Sequence, residues 1–314
     1  GALYAFLIVQ GCTTYLLWRQ TISSLKFEEI ILRFAQFRRS FRSLMSTGLP
    51  FYAAGLLSIP VFYYLQGLLV RVTGLETLGQ LRVVVSITAM ISFLPTSIAA
   101  VMVSHLASES GSDYASFVRK SLVNIKFVWI FVLFSSAATF AVMPILIDVL
   151  FGDSYTTAIT PASAALILGV LSCVLGVVSN IVLSRRRLLI TFSYTFLQAG
   201  ALLAFGIFMI PSMGLTGYFF AESVSVGGAL LFVWFWSHAW RQRNAVSPRW
   251  ILPMLALTIF YIIAFSSPAW LGHSSYNWWI GLAGMTFSAV IVYWLVLDNL
   301  ERDLLKSLVL SRRI

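Results

Sequence analysis

The sequence predicts an all-α protein, a polytopic membrane helix bundle of about nine transmembrane helices. Composition is the first reason: 59% of the 314 residues are hydrophobic, 10% are charged and the mean hydropathy is +0.90. So few polar side chains cannot cover a water-soluble surface. Second, about nine stretches are long and apolar enough to cross a hydrocarbon layer of roughly 30 Å, which takes about 20 residues of helix. Third, once the chain is cut at those stretches, all of its 21 Lys and Arg except Arg71 and Arg82 fall in alternate connections.

The spans run over 2–18, 48–70, 83–106, 127–150, 159–184, 188–210, 215–236, 250–271 and 276–297. Basic residues crowd the connections at 19–42, 119–126, 185–187 and 241–249 and the tail at 302–313. By the positive-inside rule that side is cytoplasmic, so residue 1 starts outside and the C-terminus ends inside. The net charge of +10 sits in short clusters at span ends, where it anchors helices to anionic headgroups and points away from nucleic acid.

The longest polar segment, 19–46, has a helical period, with Phe27, Ile30, Phe34, Phe37, Phe41 and Leu44 on one stripe. It reads either as an amphipathic helix on the cytoplasmic surface or as a connector packed on the spans. The connections at 185–187, 211–214 and 272–275 are short enough to force antiparallel hairpins. Pro50, Pro60, Pro95, Pro144 and Pro161 interrupt successive spans, and small residues such as Ala162–Ala165 with Ser163 accompany them. Such stretches allow kinks and close helix approach.

Little in the sequence supports enzyme chemistry. Most of the eleven acids lie at span ends or in connections, and His105, His238 and His273 belong to different spans with no metal-ligand spacing. Cys12 and Cys173 lie inside spans without a CxxC, so they read as free thiols. Neither a catalytic residue nor a metal site is expected. Glu222 is the exception among the acids, seven residues into its span and so about 10 Å below the outer end. An ionisable group at that depth faces a polar cavity or a partner. Either it forms a proton- or cation-linked or substrate-contacting site, or it is a protonated acid hydrogen-bonded to Ser223 or Ser225. Gln66 and Gln198 are intramembrane polar groups that line a hydrophilic path or bond between helices. Arg71 and Arg82, the outer bases, are candidate partners for Glu222.

Several short segments resemble one family. Gly48, Leu49 and Pro50 open a span; Leu78, Gly79 and Gln80 form a turn in which Leu81 replaces the customary aromatic; Leu150–Tyr155 with Ala158 and Gly214–Ala221 follow. Together they resemble polysaccharide and O-antigen flippases of the multidrug/oligosaccharidyl-lipid/polysaccharide exporter superfamily, with FGDSYTTA the most specific piece. The resemblance implies a division into 1–18 (last helix of an N-terminal lobe), 19–47 (cytoplasmic linker helix), 48–240 (six-helix C-terminal lobe), 250–297 (two added helices) and 298–314 (cytoplasmic tail). It implies that the chain is the C-terminal portion of a longer protein, partnered by a further N-terminal lobe.

The resemblance also implies a function: translocation of an undecaprenyl-pyrophosphate-linked oligosaccharide across the bacterial inner membrane for surface polysaccharide biosynthesis. The implied partners are that lipid-linked oligosaccharide, membrane lipids and polysaccharide polymerase machinery. No cofactor is implied beyond coupling to a proton or sodium gradient. Arg71, Arg82 and the Arg185–Arg187 triplet become candidate pyrophosphate contacts, with anchoring of span ends as the competing role. Cation-coupled multidrug antiport and a polymerase or ligase of envelope assembly are the alternatives; the short outer loops argue against the enzyme.

The predicted orientation is checked by cysteine labelling in a background where Cys12 and Cys173 are replaced by serine. Leu75→Cys should react with a membrane-impermeant maleimide in intact cells, and Arg186→Cys only after permeabilisation; the opposite pattern would invert the topology.

Overall fold

The computed structural model describes residues 15, 34–109, 114–184, 188–236, 251–271 and 276–297. Two compact units divide the chain, residues 1–52 and 53–314. In the first, the described residues are Tyr15 and the opening turns of a helix. In the second, the architecture is helical throughout.

The elements in order are α1 (Phe34–Thr73), α2 (Glu76–Glu109), α3 (Tyr114–Phe151), a 3₁₀ turn (Asp153–Ala158), α4 (Ile159–Ser184), α5 (Leu188–Trp236), α6 (Ile251–Leu271) and α7 (Tyr276–Ile291). A π turn, Val292–Val296, closes α7. Among the described residues, four segments are long and apolar enough to cross a membrane, Gly55–Thr73, Arg119–Phe151, Asp153–Ser184 and Leu189–Phe235, against the nine expected. Ile251–Ser266 and Leu282–Val296 are shorter apolar helices. Of the nine expected spans, 2–18 lies outside the described residues except for Tyr15.

The helix α4 is the centre of the second unit. Every residue from Pro161 to Val170 is buried, and α2, α3, α5 and α6 all pack on it. A helix apolar on all faces is stable only when enclosed. Its small residues let neighbours come close: Ala162, Ala164 and Ala165 are at most 1% exposed, and the Thr88 methyl of α2 lies 3.2 Å from where a Cβ on Gly169 would sit. Leu65 and Leu69 of α1, Val84 and Ile87 of α2, and Val132, Phe140 and Ile147 of α3 complete the core.

The outer helices are tied by a few polar contacts. Trp129 Nε1 donates to Thr258 Oγ1 at 3.0 Å, joining α3 to α6, and that hydroxyl donates to the Met254 carbonyl at 2.8 Å. Tyr261 and Ser288 share a 2.7 Å hydrogen bond between α6 and α7. Lys126, 2% exposed, reaches the Val296 carbonyl at 3.3 Å. The π turn closes with a five-residue-spaced bond from Leu297 N–H to Val292 O at 2.9 Å.

Two boundaries differ from the expectation. A separate helix was expected to end near residue 46, but α1 runs without a break from Phe34 through Gly48, Pro50 and Pro60 to Thr73. In apolar surroundings a continuous helix satisfies more of its own backbone than an interrupted one, which outweighs the proline penalty. The expected loop at 211–214 is also compressed. Helix flanks it on both sides, and only Gly214, with φ 57° and ψ −131°, is non-helical.

That single residue reverses the chain. In an unbroken helix the Cα atoms of residues 209 and 217 would stand about 12 Å apart, yet the Met209 carbonyl lies against the Cα of Gly217. The arms 188–213 and 215–236 therefore fold back as a hairpin, and Thr73 at the end of α1 caps the bend, 3.1 Å from where a Gly214 Cβ would sit. A methyl group on Gly217 would meet backbone rather than a movable side chain. Gly217→Ala should therefore cost roughly 1–3 kcal/mol or more. Gly176→Ala, which meets nothing within 4 Å, should leave stability unchanged or raised, as read by thermal unfolding in detergent.

Candidate functional site

Three of the sequence-predicted polar residues meet at one cavity. Gln66 of α1, Arg82 of α2 and Glu222 in the second arm of α5 all line a hollow of about 380 Å³. Helical spacing puts them there. Phe62 and Gln66 are four residues apart on α1, Arg82, Val85 and Ala89 recur at three and four on α2, and Tyr218 and Glu222 are four apart on α5. Leu168 of the central helix forms the floor.

The depth is common to all three. Gln66 lies seven residues before the end of α1, Arg82 six after the start of α2 and Glu222 eight after the bend. At about 1.5 Å per residue each is some 9–12 Å from the turns that close this end of the bundle. The cavity is thus a polar recess among apolar helices, about two turns from one end of the bundle.

Its electrostatics are those of one acid and one base separated by hydrogen-bonding groups. The Tyr218 hydroxyl stands close to the Gln66 side chain and within electrostatic reach of Glu222, and all three line the cavity. Thr88 and Ser92 on the α2 wall donate to carbonyls of their own helix, at 2.9 Å to Val84 and 3.0 Å to Thr88. Glu222 is half-buried and Arg82 exposed. The serine partners expected for Glu222 are committed elsewhere: Ser223 Oγ donates to the Phe219 carbonyl at 2.7 Å and Ser225 Oγ to the backbone carbonyl of Glu222 itself at 2.7 Å. The carboxyl therefore faces the cavity rather than a local hydroxyl.

The other two candidates lie apart. Gln198 is half-buried on the first arm of α5 and does not line the cavity. Arg71 borders a separate, smaller hollow on α1. Arg185–Arg187, Gln10, Cys12, His238 and His273 fall outside the described residues. Tyr218 escaped the sequence reading, although its position four residues before Glu222 places it on the same helical face.

Of the two quoted segments beside the cavity, FGDSYTTA forms the 3₁₀ turn, whereas Leu78–Gln80, expected as a turn, lies in the first turns of helix α2, and the chain reverses instead at Gly74 and Leu75. Gly79 packs under the Tyr155 ring, whose hydroxyl lies 3.5 Å from where a glycine Cβ would stand. Gln80 Nε2 donates to Thr157 Oγ1 at 2.9 Å. The start of α2 and the FGDSYTTA segment therefore interlock at the end of the bundle that carries the cavity. Among the described residues, no group of three His, Cys, Asp or Glu side chains could hold a metal ion.

This geometry defines a class: an all-helical protein with four apolar helices of membrane-crossing length and a polar recess between helices. Comparison with protein-family models, with curated proteins and with solved structures finds no match to this chain.

The contact between Gln66 and Tyr218 is open to a double-mutant cycle. Gln66→Leu and Tyr218→Phe, alone and combined, should show a coupling of about 0.5–1.5 kcal/mol in reversible unfolding from mixed micelles. Strict additivity would mean that the two side chains do not pair.

Proposed function

We propose that this chain forms the substrate-handling lobe of an alternating-access transporter that flips a lipid-linked oligosaccharide, of the undecaprenyl-pyrophosphate type, across a bacterial inner membrane. The observation that carries the reading is the recess holding Arg82, Gln66, Tyr218 and Glu222 within otherwise apolar helices. A sugar-pyrophosphate head needs a wet, partly cationic path, while its polyprenyl tail stays in lipid. A guanidinium matches phosphate oxygens by paired, charge-assisted hydrogen bonds. The amide of Gln66 and the hydroxyl of Tyr218 offer donors and acceptors of the kind that sugar hydroxyls require.

Alternation calls for a second helical lobe facing the recess and for helices that bend. Pro95, Pro144 and Pro211 inside α2, α3 and α5 supply points where the backbone ladder is already interrupted. The resemblance of the LGQ and FGDSYTTA segments to polysaccharide flippases supports the substrate class and the outward direction.

A second reading, cation-coupled drug antiport, is favoured by one observation: a carboxyl facing a cavity within a membrane span invites a proton or sodium ion. Glu222→Gln separates the two. It should leave export of the lipid-linked glycan within about twofold if the acid only contacts sugar, since a lost neutral hydrogen bond is worth about 0.5 kcal/mol at the low end. Loss of gradient dependence together with transport would favour the antiporter.

Deletion of the full gene should cause lipid-linked oligosaccharide to accumulate in the inner leaflet, as scored by surface polysaccharide and by lipid extraction. Complementation with Arg82→Ala should recover at most about a tenth of the surface polysaccharide, and Arg82→Lys an intermediate level, because a charge-assisted phosphate contact is worth about 1.5–3 kcal/mol. Normal surface polysaccharide in the deletion would refute the assignment.

A further inference from the structure

Arg71 belongs neither to the recess nor to the positive-inside pattern. It borders a hollow of about 250 Å³ on the flank of α1, lined also by Tyr63, Tyr64, Gly67 and Leu68. Residues 64, 67 or 68 and 71 follow one another at three and four positions, so they stand in one column along the helix. Gly67 leaves a gap in that column, and nothing lies within 4 Å of where its Cβ would be. The result is a notch between two phenol rings and a guanidinium. Tyr63 is 71% and Tyr64 55% exposed, and the exposed side chains of Leu56 and Ile59 continue an apolar strip toward mid-membrane.

The charge at this end is also specific. Arg71 sits two residues before the end of α1, about 3 Å from the close of the helix and so at headgroup depth. Glu76, Asp148 and Asp153 are the carboxylates of the neighbouring turns. Asp148 and Asp153 lie close together, and among the described residues no carboxylate is an ion-pair partner of Arg71.

We propose that this notch binds the phosphate of a net-anionic phospholipid in the outer leaflet. Arg71 holds the phosphodiester, Tyr63 and Tyr64 flank it, and the acyl chains lie on the strip at Leu56 and Ile59. A planar guanidinium pairs with phosphate oxygens, and phenols favour the boundary where one edge is apolar and the other wet. A choline or ethanolamine head would bring its own cation beside Arg71, whereas a glycerol head would not; the site therefore selects net negative charge. The hollow falls below the roughly 300–1,000 Å³ of sites that enclose a whole small molecule. That size suits a headgroup whose tails remain in the bilayer. The inference needs that α1 crosses the membrane, and its leaflet follows the orientation expected from the basic residues; it stands apart from the translocation reading.

The test is a lipid titration of the purified full chain in detergent, read by native mass spectrometry. Phosphatidylglycerol should bind the wild type in preference to phosphatidylcholine, and Arg71→Gln should weaken it about tenfold. Gly67→Leu fills the notch where there is open space, so it should keep the thermal transition and show the same loss. Arg119→Gln, an exposed base near the start of α3, should bind as the wild type does. Equal phosphatidylglycerol binding by Arg71→Gln and wild type would overturn the proposal, as would indifference to headgroup charge. Displacement of the lipid by equimolar inorganic phosphate would assign the notch to a free anion and overturn the lipid assignment.

Discussion

Enclosure of α4 is the constraint on which the second unit depends. Residues 161–170 present no face to solvent or lipid, so every neighbour is positioned by contact with this one helix. Inside a membrane there is little hydrophobic gain from bringing helices together, because lipid tails are as apolar as leucine. What remains is close packing. Alanines at 162, 164 and 165, Ser163 and Gly169 make α4 narrow enough for α2, α3, α5 and α6 to approach it together. α4 has no aromatic side chain, and the aromatic bulk is carried by those neighbours, as in Phe140 and Phe219, each at most 2% exposed.

The same enclosure sets the recess. Leu168 of α4 lines it together with polar side chains of α1, α2 and α5, and of those three helices α2 and α5 pack directly on α4. The recess is therefore a by-product of packing around a thin helix, furnished with polar side chains at one depth. It lies beside an end of the bundle where Gln80 to Thr157, Gly79 under Tyr155 and Thr73 against Gly214 tie four elements. Toward the opposite end the ties are Lys126 to the π turn, Trp129 to Thr258 and Tyr194 to Ser179.

Much of this was legible in the sequence. The expected span 159–184 coincides with α4, and 250–271 and 276–297 fall within a residue or so of α6 and of α7 with its π turn, because abrupt switches in polarity mark their ends. The grouping of Gln66, Arg82 and Glu222 was only partly legible: the expected spans put Gln66 and Glu222 within a helix but Arg82 just outside 83–106, and it is the earlier start of α2, at Glu76, that brings Arg82 to the same depth. Azimuth cannot be counted across different helices, which is why Gln198 and Arg71, at comparable polarity, looked equivalent to the others. The continuity of α1 through Pro50 and Pro60 was hidden for a related reason. A proline marks the loss of one hydrogen bond, and whether the helix stops there is decided by surroundings that a single segment does not record.

The bend at Gly214 bears on how the protein enters the membrane. Residues 188–236 contain Glu222 as their sole charged side chain, and a single residue separates the two helical arms. So short a connector keeps the two arms side by side wherever the chain goes. In a bilayer such a pair would bring Glu222 in beside a neighbouring helix, which lowers the penalty that a lone acid on an isolated segment would face. The glycine that shapes the bend would thereby also make one inserting unit of two helices.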